Sequence, residues 1–244
     1  NIFYHEVSVT DYPLFDYPPY ELALSSKLVN VVKYEKLDLL HVHYAIPHAS
    51  AAYMAKQILA SKGIYIPVIT TLHGTDITLV GKDASFEPVI TFAINQSDAV
   101  TSVSESLKKD TYKYFPVTRD IRVIPNFVCL DAYTYDLSHK KTYVPYGEKL
   151  LIHVSNFRKV KRVEDVLRVF DKVRKVIPSK LILIGDGPER SNIEKLCREL
   201  DTCNDIRSLG KVISPEQVLC LADLFLLTSE TESFGLAALE AMAA

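Results

Sequence analysis

The sequence predicts an α/β protein built on two parallel sheets, and three observations carry the prediction. Short apolar runs of strand length, rich in Val, Ile and Leu, recur along the 244 residues. Such continuous apolarity, without alternation, is what strands buried on both faces show. Stretches of helical period fall between several of these runs, as parallel strands joined by crossover helices require. The pattern lapses once, between Leu130 and Lys149, into a polar, tyrosine-rich stretch with neither period.

In the first half the expected strands are 37–44, ending His-Val-His-Tyr, then 68–72 (Val-Ile-Thr-Thr-Leu), 99–103 (Ala-Val-Thr-Ser-Val) and 121–124 (Ile-Arg-Val-Ile). In the last three of them β-branched residues are the majority and favour pleated backbone. In the second half the strands are 150–154 (Leu-Leu-Ile-His-Val), 181–184 (Leu-Ile-Leu-Ile) and 224–227 (Leu-Phe-Leu-Leu). Helices are expected at 50–61, 104–114, 163–176 and 189–200, with an alanine-rich helix opening near Leu236. The lapse in pattern places the domain boundary near residue 142, giving domains 1–141 and 142–244. Open parallel sheets bind ligands outside the C-terminal ends of their strands, so two such sheets facing a cleft would carry their chemistry in those loops. The chain starts without methionine and stops at Glu240-Ala-Met-Ala-Ala244, inside what reads as the first turns of a helix. The expectation is a fragment that lacks a first strand and a C-terminal part.

Composition narrows the function. At 48% hydrophobic and 24% charged the chain is ordinary for a globular protein, and a net charge of −2 gives no footprint for nucleic acid. Cys129, Cys197, Cys203 and Cys220 lack the paired spacing of zinc or redox sites. They read as thiols in a reducing compartment. No run approaches the length of a membrane span and the first residues are not a signal peptide, so the expected location is the cytoplasm, without stable membrane association.

Four segments can carry chemistry. Thr228-Ser-Glu-Thr-Glu-Ser-Phe-Gly-Leu-Ala-Ala-Leu-Glu240 follows the last strand and leads into a helix. The N–H groups of Phe234, Gly235 and Leu236 would stand at that helix's N-terminus, where unpaired donors and the dipole make an anion site suited to a diphosphate. Glu232 would lie in the loop and Glu240 about two turns into the helix, able to accept from ribose hydroxyls. Val154-Ser-Asn-Phe-Arg-Lys-Val-Lys-Arg162 is a strand end followed by a basic loop. There Lys161 and Arg158 can neutralise a leaving diphosphate without a metal; a solvated basic loop is the plainer reading. Leu183-Ile-Gly-Asp-Gly-Pro-Glu189 turns a strand into a helix, with Gly185 either contacting ligand or serving a tight turn. Thr71-Leu-His-Gly-Thr-Asp76 and His41-Val-His-Tyr-Ala45 end strands of the first half. His73 reads as a group that bonds a sugar hydroxyl or stabilises charge, and His41 and His43 as core histidines sharing one face of their strand. The His-x-His pair with His48 lacks the carboxylate or thiolate to complete a metal set.

These segments together resemble the retaining GT-B glycosyltransferases of the glycosyltransferase-4 group, over nearly the whole chain. The most specific piece is Glu232-x7-Glu240 after Ala222-Asp-Leu-Phe-Leu-Leu-Thr-Ser229. The resemblance implies GT-B architecture, with two Rossmann-like domains facing a cleft and the nucleotide held by the second. In closer detail, His43-Tyr44, Ser102-Val-Ser-Glu105, Ile124-Pro-Asn-Phe127 and Gly185-Asp-Gly-Pro188 are similar to one branch of the group. For that branch the implied reaction is transfer of N-acetylglucosamine from UDP-N-acetylglucosamine to the hydroxyl of L-malate, in bacillithiol biosynthesis. Retention would come from front-face displacement, with the departing phosphate helping to deprotonate the acceptor. No cofactor and no metal are implied, the UDP-sugar being a co-substrate.

Carried over, the resemblance gives the diphosphate to Lys161 and Arg158, ribose to Glu240 and the sugar hydroxyls to Glu232. It gives the transferred sugar to His73, and the acceptor pocket to Tyr44 and Thr75. Many relatives carry an arginine where this chain has Asn156, and the family's glycine-rich loop after the first strand would lie upstream of residue 1. Alternatives from the sequence are a transferase of the same group with another acceptor (a sugar, an inositol phosphate or a lipid) and a non-catalytic nucleotide-sugar-binding module; a homo-oligomer is left open.

Overall fold

The computed structural model describes residues 2–9, 18–79, 83–133 and 137–244. The chain forms two compact units that divide between Pro125 and Asn126. Residues 126–141, assigned to the first half on sequence, group with the second unit.

The first unit holds four parallel strands in the order β1 (Leu40–His43), β2 (Val68–Leu72), β3 (Ala99–Ser102) and β4 (Ile121–Val123). Helices α2 (Ser50–Ala60), α3 (Glu87–Gln96) and α4 (Glu105–Tyr114) make the crossovers. The Ser104 hydroxyl caps α4 by accepting from Leu107 N–H at 3.1 Å. A further helix, α1 (Tyr20–Glu35), precedes the sheet and buries Ser25, Val29 and Val32, spaced to share one helical face. Val29 and Val32 join Leu40, Ala52, Ala55, Leu59, Ile66 and Val68 in one core. Ala52 and Ala55 of α2 are small enough for that helix to pack closely on Val29 and Val32 of α1.

The second unit is also all-parallel, in the order β7-β6-β5-β8, with β5 Lys149–Val154, β6 Ser179–Ile184, β7 Ile206–Gly210 and β8 Leu224–Phe225. Its helices are α5 (Val163–Arg174), α6 (Arg190–Glu199), α7 (Glu216–Leu219) and α8 (Leu236–Ala243). The continuous apolar runs are explained by two cores. Leu151, Leu181 and Leu183 pack under α5 and α6 with Phe157, Val166, Leu167, Phe170 and Ile193. Leu150, Ile152, Ile182 and Ile184 pack on the opposite face with Leu219, Leu221 and Val144. Successive residues of one strand therefore serve opposite cores. β7 was not expected: Arg207 and Ser208 interrupt its apolarity, and both are exposed on this edge strand.

Both units use the same local device to set a strand's register. The Asp98 carboxylate, just before β3, accepts from Val68 N–H at 2.7 Å and from Lys56 Nζ at 2.6 Å. The Asp223 carboxylate, just before β8, accepts from Leu150 N–H at 2.8 Å and pairs with Lys140 at 3.0 Å. Each acid takes an N–H within the first two residues of the neighbouring strand, where the ladder has not yet begun on that side. No helix among the described residues is long and apolar enough to cross a membrane.

Candidate active site

In the second unit β5 lies between β6 and β8, so strand order reverses there and the loops after β5 and β8 diverge from neighbouring strand ends. Main-chain and side-chain bonds then bring the two loops together. Glu230 N–H donates to the Val160 carbonyl at 2.9 Å, and the Thr228 hydroxyl donates to the carbonyls of Lys161 and Arg162, at 3.0 Å each. Lys161, at the end of a 3-10 turn (Lys159–Lys161), meets Glu232 with Nζ 2.6 Å from Oε1. Two side chains 71 residues apart thus form a half-buried ion pair at the switch point. Arg158, at the same turn's N-cap, is exposed and its guanidinium has no partner among the described residues.

His153 supports this geometry and was missed on sequence. It is 0% exposed in β5. Nδ1 lies 2.8 Å from the Leu226 carbonyl and Nε2 2.8 Å from the Ser155 hydroxyl. A carbonyl only accepts, so Nδ1 carries the proton and Nε2 accepts from Ser155. The ring thereby extends the β5–β8 pairing past Phe225, where the regular ladder ends. Burial lowers its pKa; the Leu226 bond opposes this, the charge of Lys161 adds to it and Glu232 again opposes. A histidine enclosed in an apolar strand, Leu-Leu-Ile-His-Val, was the available signal.

The loop after β6 packs against the loop after β5. Gly185 has φ +129°, and a Cβ there would stand 1.7 Å from the Ser155 carbonyl oxygen. Close approach of these two main chains requires glycine without reference to a ligand. Phe157, 1% exposed, anchors the contact, with its N–H on the Asp186 carbonyl and its own carbonyl accepting from Glu189 N–H, both at 2.9 Å.

Gly235 is the N-cap of α8 in the left-handed conformation, φ +82°. Leu236 and Ala237, in the helix's first turn, have N–H groups without intrahelical acceptors by their position. Because α8 begins at Leu236, Glu240 stands four residues in, about one turn instead of the expected two. Burial, and then the nearby Glu216, push its carboxyl above the usual range. Ser229 Oγ, in the same loop, is buried with no hydrogen-bond partner among the described residues.

The first unit gathers its own cluster at the ends of β1 and β2. His41 and His43 do share a face, but they are exposed, which corrects their reading as core residues. Their rings stack at 4.8 Å. His41 Nε2 bonds Thr71 Oγ1 at 2.8 Å, and His43 Nδ1 bonds His73 Nε2 at 2.8 Å. Burial and then the charges of His73, His41 and His48 lower the pKa of His43; burial and then His41 lower that of His73. The Tyr44 ring is 5.0 Å from that of His73, on a backbone at φ +77°. A bulky residue there stores on the order of 1–3 kcal/mol of strain, which its surroundings must offset. Asp76, 2% exposed, supplies part of that: its carboxylate accepts from Ala45 N–H at 2.7 Å and from Gly74 N–H at 3.1 Å. It clips the residue after Tyr44 to the residue after His73. Thr75 is exposed beside it. No three His, Cys, Asp or Glu side chains among the described residues are placed to hold a metal ion.

The chain is similar to known proteins in sequence and in fold. A model of Glycosyltransferase Family 4 matches residues 2–132, and one of Glycosyl transferases group 1 matches residues 135–244. The N-acetyl-alpha-D-glucosaminyl L-malate synthase of Bacillus anthracis is 49% identical over all of this chain, which covers 64% of that enzyme. Among solved structures, HepE of Anabaena in complex with UDP and glucose aligns over 89% of this chain and 60% of its own, with a TM-score of 0.75 and 19% identity. The sucrose-phosphate synthase of Thermosynechococcus elongatus aligns over 96% and 62%, with a TM-score of 0.72 and 19% identity. The chain thus spans somewhat under two thirds of the length of these relatives. The structural likenesses speak to the fold, which is that of the GT-B glycosyltransferases. With the family model covering more than half of its residues, the chain belongs to Glycosyltransferase Family 4.

Proposed function

We propose that the protein carrying this chain transfers N-acetylglucosamine from UDP-N-acetylglucosamine to L-malate, with retention at the anomeric carbon and without a metal ion. The observation that carries the site assignment is the meeting of Lys161 and Glu232 at the β5/β8 switch point. The transferred sugar and the acceptor are taken from the N-acetyl-alpha-D-glucosaminyl L-malate synthase of Bacillus anthracis, whose name states its product, at 49% identity. HepE, of the same fold, is described with UDP and glucose bound, which favours a UDP-sugar donor.

In this reading the uridine diphosphate lies along the loops after β5 and β8. Lys161 and Arg158 face the diphosphate, and the first-turn N–H groups of α8, with Phe234, Gly235 and Leu236, add further donors. Negative charge grows on the diphosphate as the glycosidic bond breaks, so fixed cations beside it stabilise the transition state more than the ground state. Glu232 has two parts: it orients Lys161 through the ion pair, and it accepts from hydroxyls of the sugar. Glu240 takes the ribose hydroxyls. Gly185 serves by letting the β5 loop sit where Lys161 can reach. His73 contacts the transferred sugar, and Tyr44 and Thr75 bind the acceptor.

The test is UDP release by the full-length protein from UDP-N-acetylglucosamine, with and without L-malate and with chelator. Malate-dependent, chelator-insensitive release of UDP, with an α-linked product, is expected. Release only with a different acceptor would refute the malate assignment, and no release with any acceptor would refute the enzyme reading.

A further inference from the structure

We propose that His43 is a positioning residue for His73: by bonding His73 Nε2 it fixes that ring and leaves Nδ1 as the nitrogen offered to substrate. The inference rests on the reading of His73 as the group that contacts the transferred sugar.

Geometry carries the argument. Two imidazole nitrogens 2.8 Å apart can hold only one proton between them, because a second would set N–H against N–H. In either neutral arrangement the bond occupies Nε2 of His73, and only its Nδ1 remains for a ligand. The pair can take one positive charge but not two while the bond lasts.

The surroundings hold His43 as firmly as His43 holds His73. His41, on the same face of β1, stacks on the His43 ring and is tied through Nε2 to Thr71, whose hydroxyl bonds Thr101 at 2.7 Å. His48, in the turn after β1, donates from Nδ1 to the main-chain carbonyl of His43. The Tyr44 ring lies beside that of His73, with centroids 5.0 Å apart. The buried Asp76 carboxylate fixes the main chain at Gly74, next to His73. The titratable groups facing the pair are therefore His41, His48, Tyr44 and Asp76. The His43 ring itself is exposed and fills no core, so packing does not explain this chain of contacts. Ring orientation, on the other hand, is what a residue bonding one sugar hydroxyl needs, since an imidazole free to rotate presents either nitrogen or neither.

The test uses the full-length enzyme and two substitutions at the exposed position. His43→Phe keeps a flat ring without nitrogen. His43→Asn places an amide atom as many bonds from Cβ as Nδ1 and can donate or accept there. Loss of one orienting hydrogen bond should lower kcat on the order of tenfold in His43→Phe, with KM for the donor changed less than about twofold. His43→Asn should recover most of the rate. In ring-nitrogen NMR spectra, Nε2 of His73 should show the shift of a hydrogen-bonded nitrogen in the wild type and lose it in His43→Phe. Wild-type turnover in His43→Phe, or an Asn variant as slow as the Phe variant, would overturn the proposal. His73→Ala, measured in parallel, separates the two levels. If it is slow while His43→Phe is normal, only the positioning role is lost. If it turns over normally, the assignment of His73 itself fails and takes the role of His43 with it.

Discussion

Gly185→Ala tests whether the loop after β5 is held in place by main-chain contact. The new Cβ would lie 1.7 Å from the Ser155 carbonyl oxygen, 2.9 Å from its carbon and 3.3 Å from Phe157 Cε1. The carbonyl must retreat by roughly 1.5 Å to reach ordinary contact distance. It is not free to do so, because Ser155 N–H donates to the Ile184 carbonyl at 3.1 Å and Phe157 N–H to that of Asp186 at 2.9 Å. Losing one or two of these bonds costs about 1 kcal/mol each, and alanine at φ +129° adds about 1–3 kcal/mol. With some unpacking of Phe157, the total is roughly 3–5 kcal/mol, a large part of the ~5–15 kcal/mol that holds a domain folded. Gly235→Ala is the internal control. It also has positive φ, yet the nearest atoms to its added Cβ are 3.9 Å away, so only the left-handed backbone is penalised, by about 1–2 kcal/mol.

Native-state hydrogen exchange on β5 and β6 reads the second unit alone. The Gly185 variant should lose the larger amount there, and with it most affinity for UDP, because Lys161 rides on the displaced loop. Exchange within about 0.5 kcal/mol of wild type, or an equal loss in both variants, would refute the reasoning.

Three further outcomes are expected. His153 is held neutral in the folded state, with its pKa lowered chiefly by burial, whereas in the unfolded chain it takes a proton near its ordinary value of 6.5. The unfolded state therefore binds more protons below that pH. Stability should fall as pH drops from 6.5 toward the folded pKa, by up to about 1.4 kcal/mol per pH unit. Urea midpoints of wild type and His153→Gln, compared from pH 8 to 5.5, isolate this slope; identical slopes would remove the neutral assignment. Lys161→Met keeps the aliphatic stem but leaves Glu232 without its cation. It should weaken UDP binding about 10–100-fold by calorimetry and flatten its salt dependence, and unchanged affinity would discard the diphosphate role. Glu240→Ala should weaken UDP roughly tenfold while binding 2′-deoxy-UDP nearly as wild type does; an equal loss for both ligands would remove the ribose contact.

Chemistry-bearing segments were legible in the sequence because each stands where an apolar run gives way to a loop. Lys161, Glu232, His73 and Tyr44 all sit at such exits, and a strand end in an open parallel sheet is where ligands are met. The roles of His153, His43 and Gly185 were not legible, since each depends on a partner outside its own segment. His153 could be known as a clamp only once β8 was seen beside β5, since its Leu226 partner is 73 residues away. Gly185 suits a plain turn, and only the Ser155 carbonyl across the loop shows why no larger residue fits.

What the sequence determined by itself was seven of the eight strands, part of the helices and the strand ends where chemistry collects, since residue period acts over a few neighbours. Strand order was decided only in three dimensions. It put β8 on one side of β5 and β6 on the other, and so brought Lys161 to Glu232 across 71 residues. The same holds in the first unit, where His43 meets His73 because β1 pairs with β2 in one register, and a shift of a single residue would point the two rings to opposite faces.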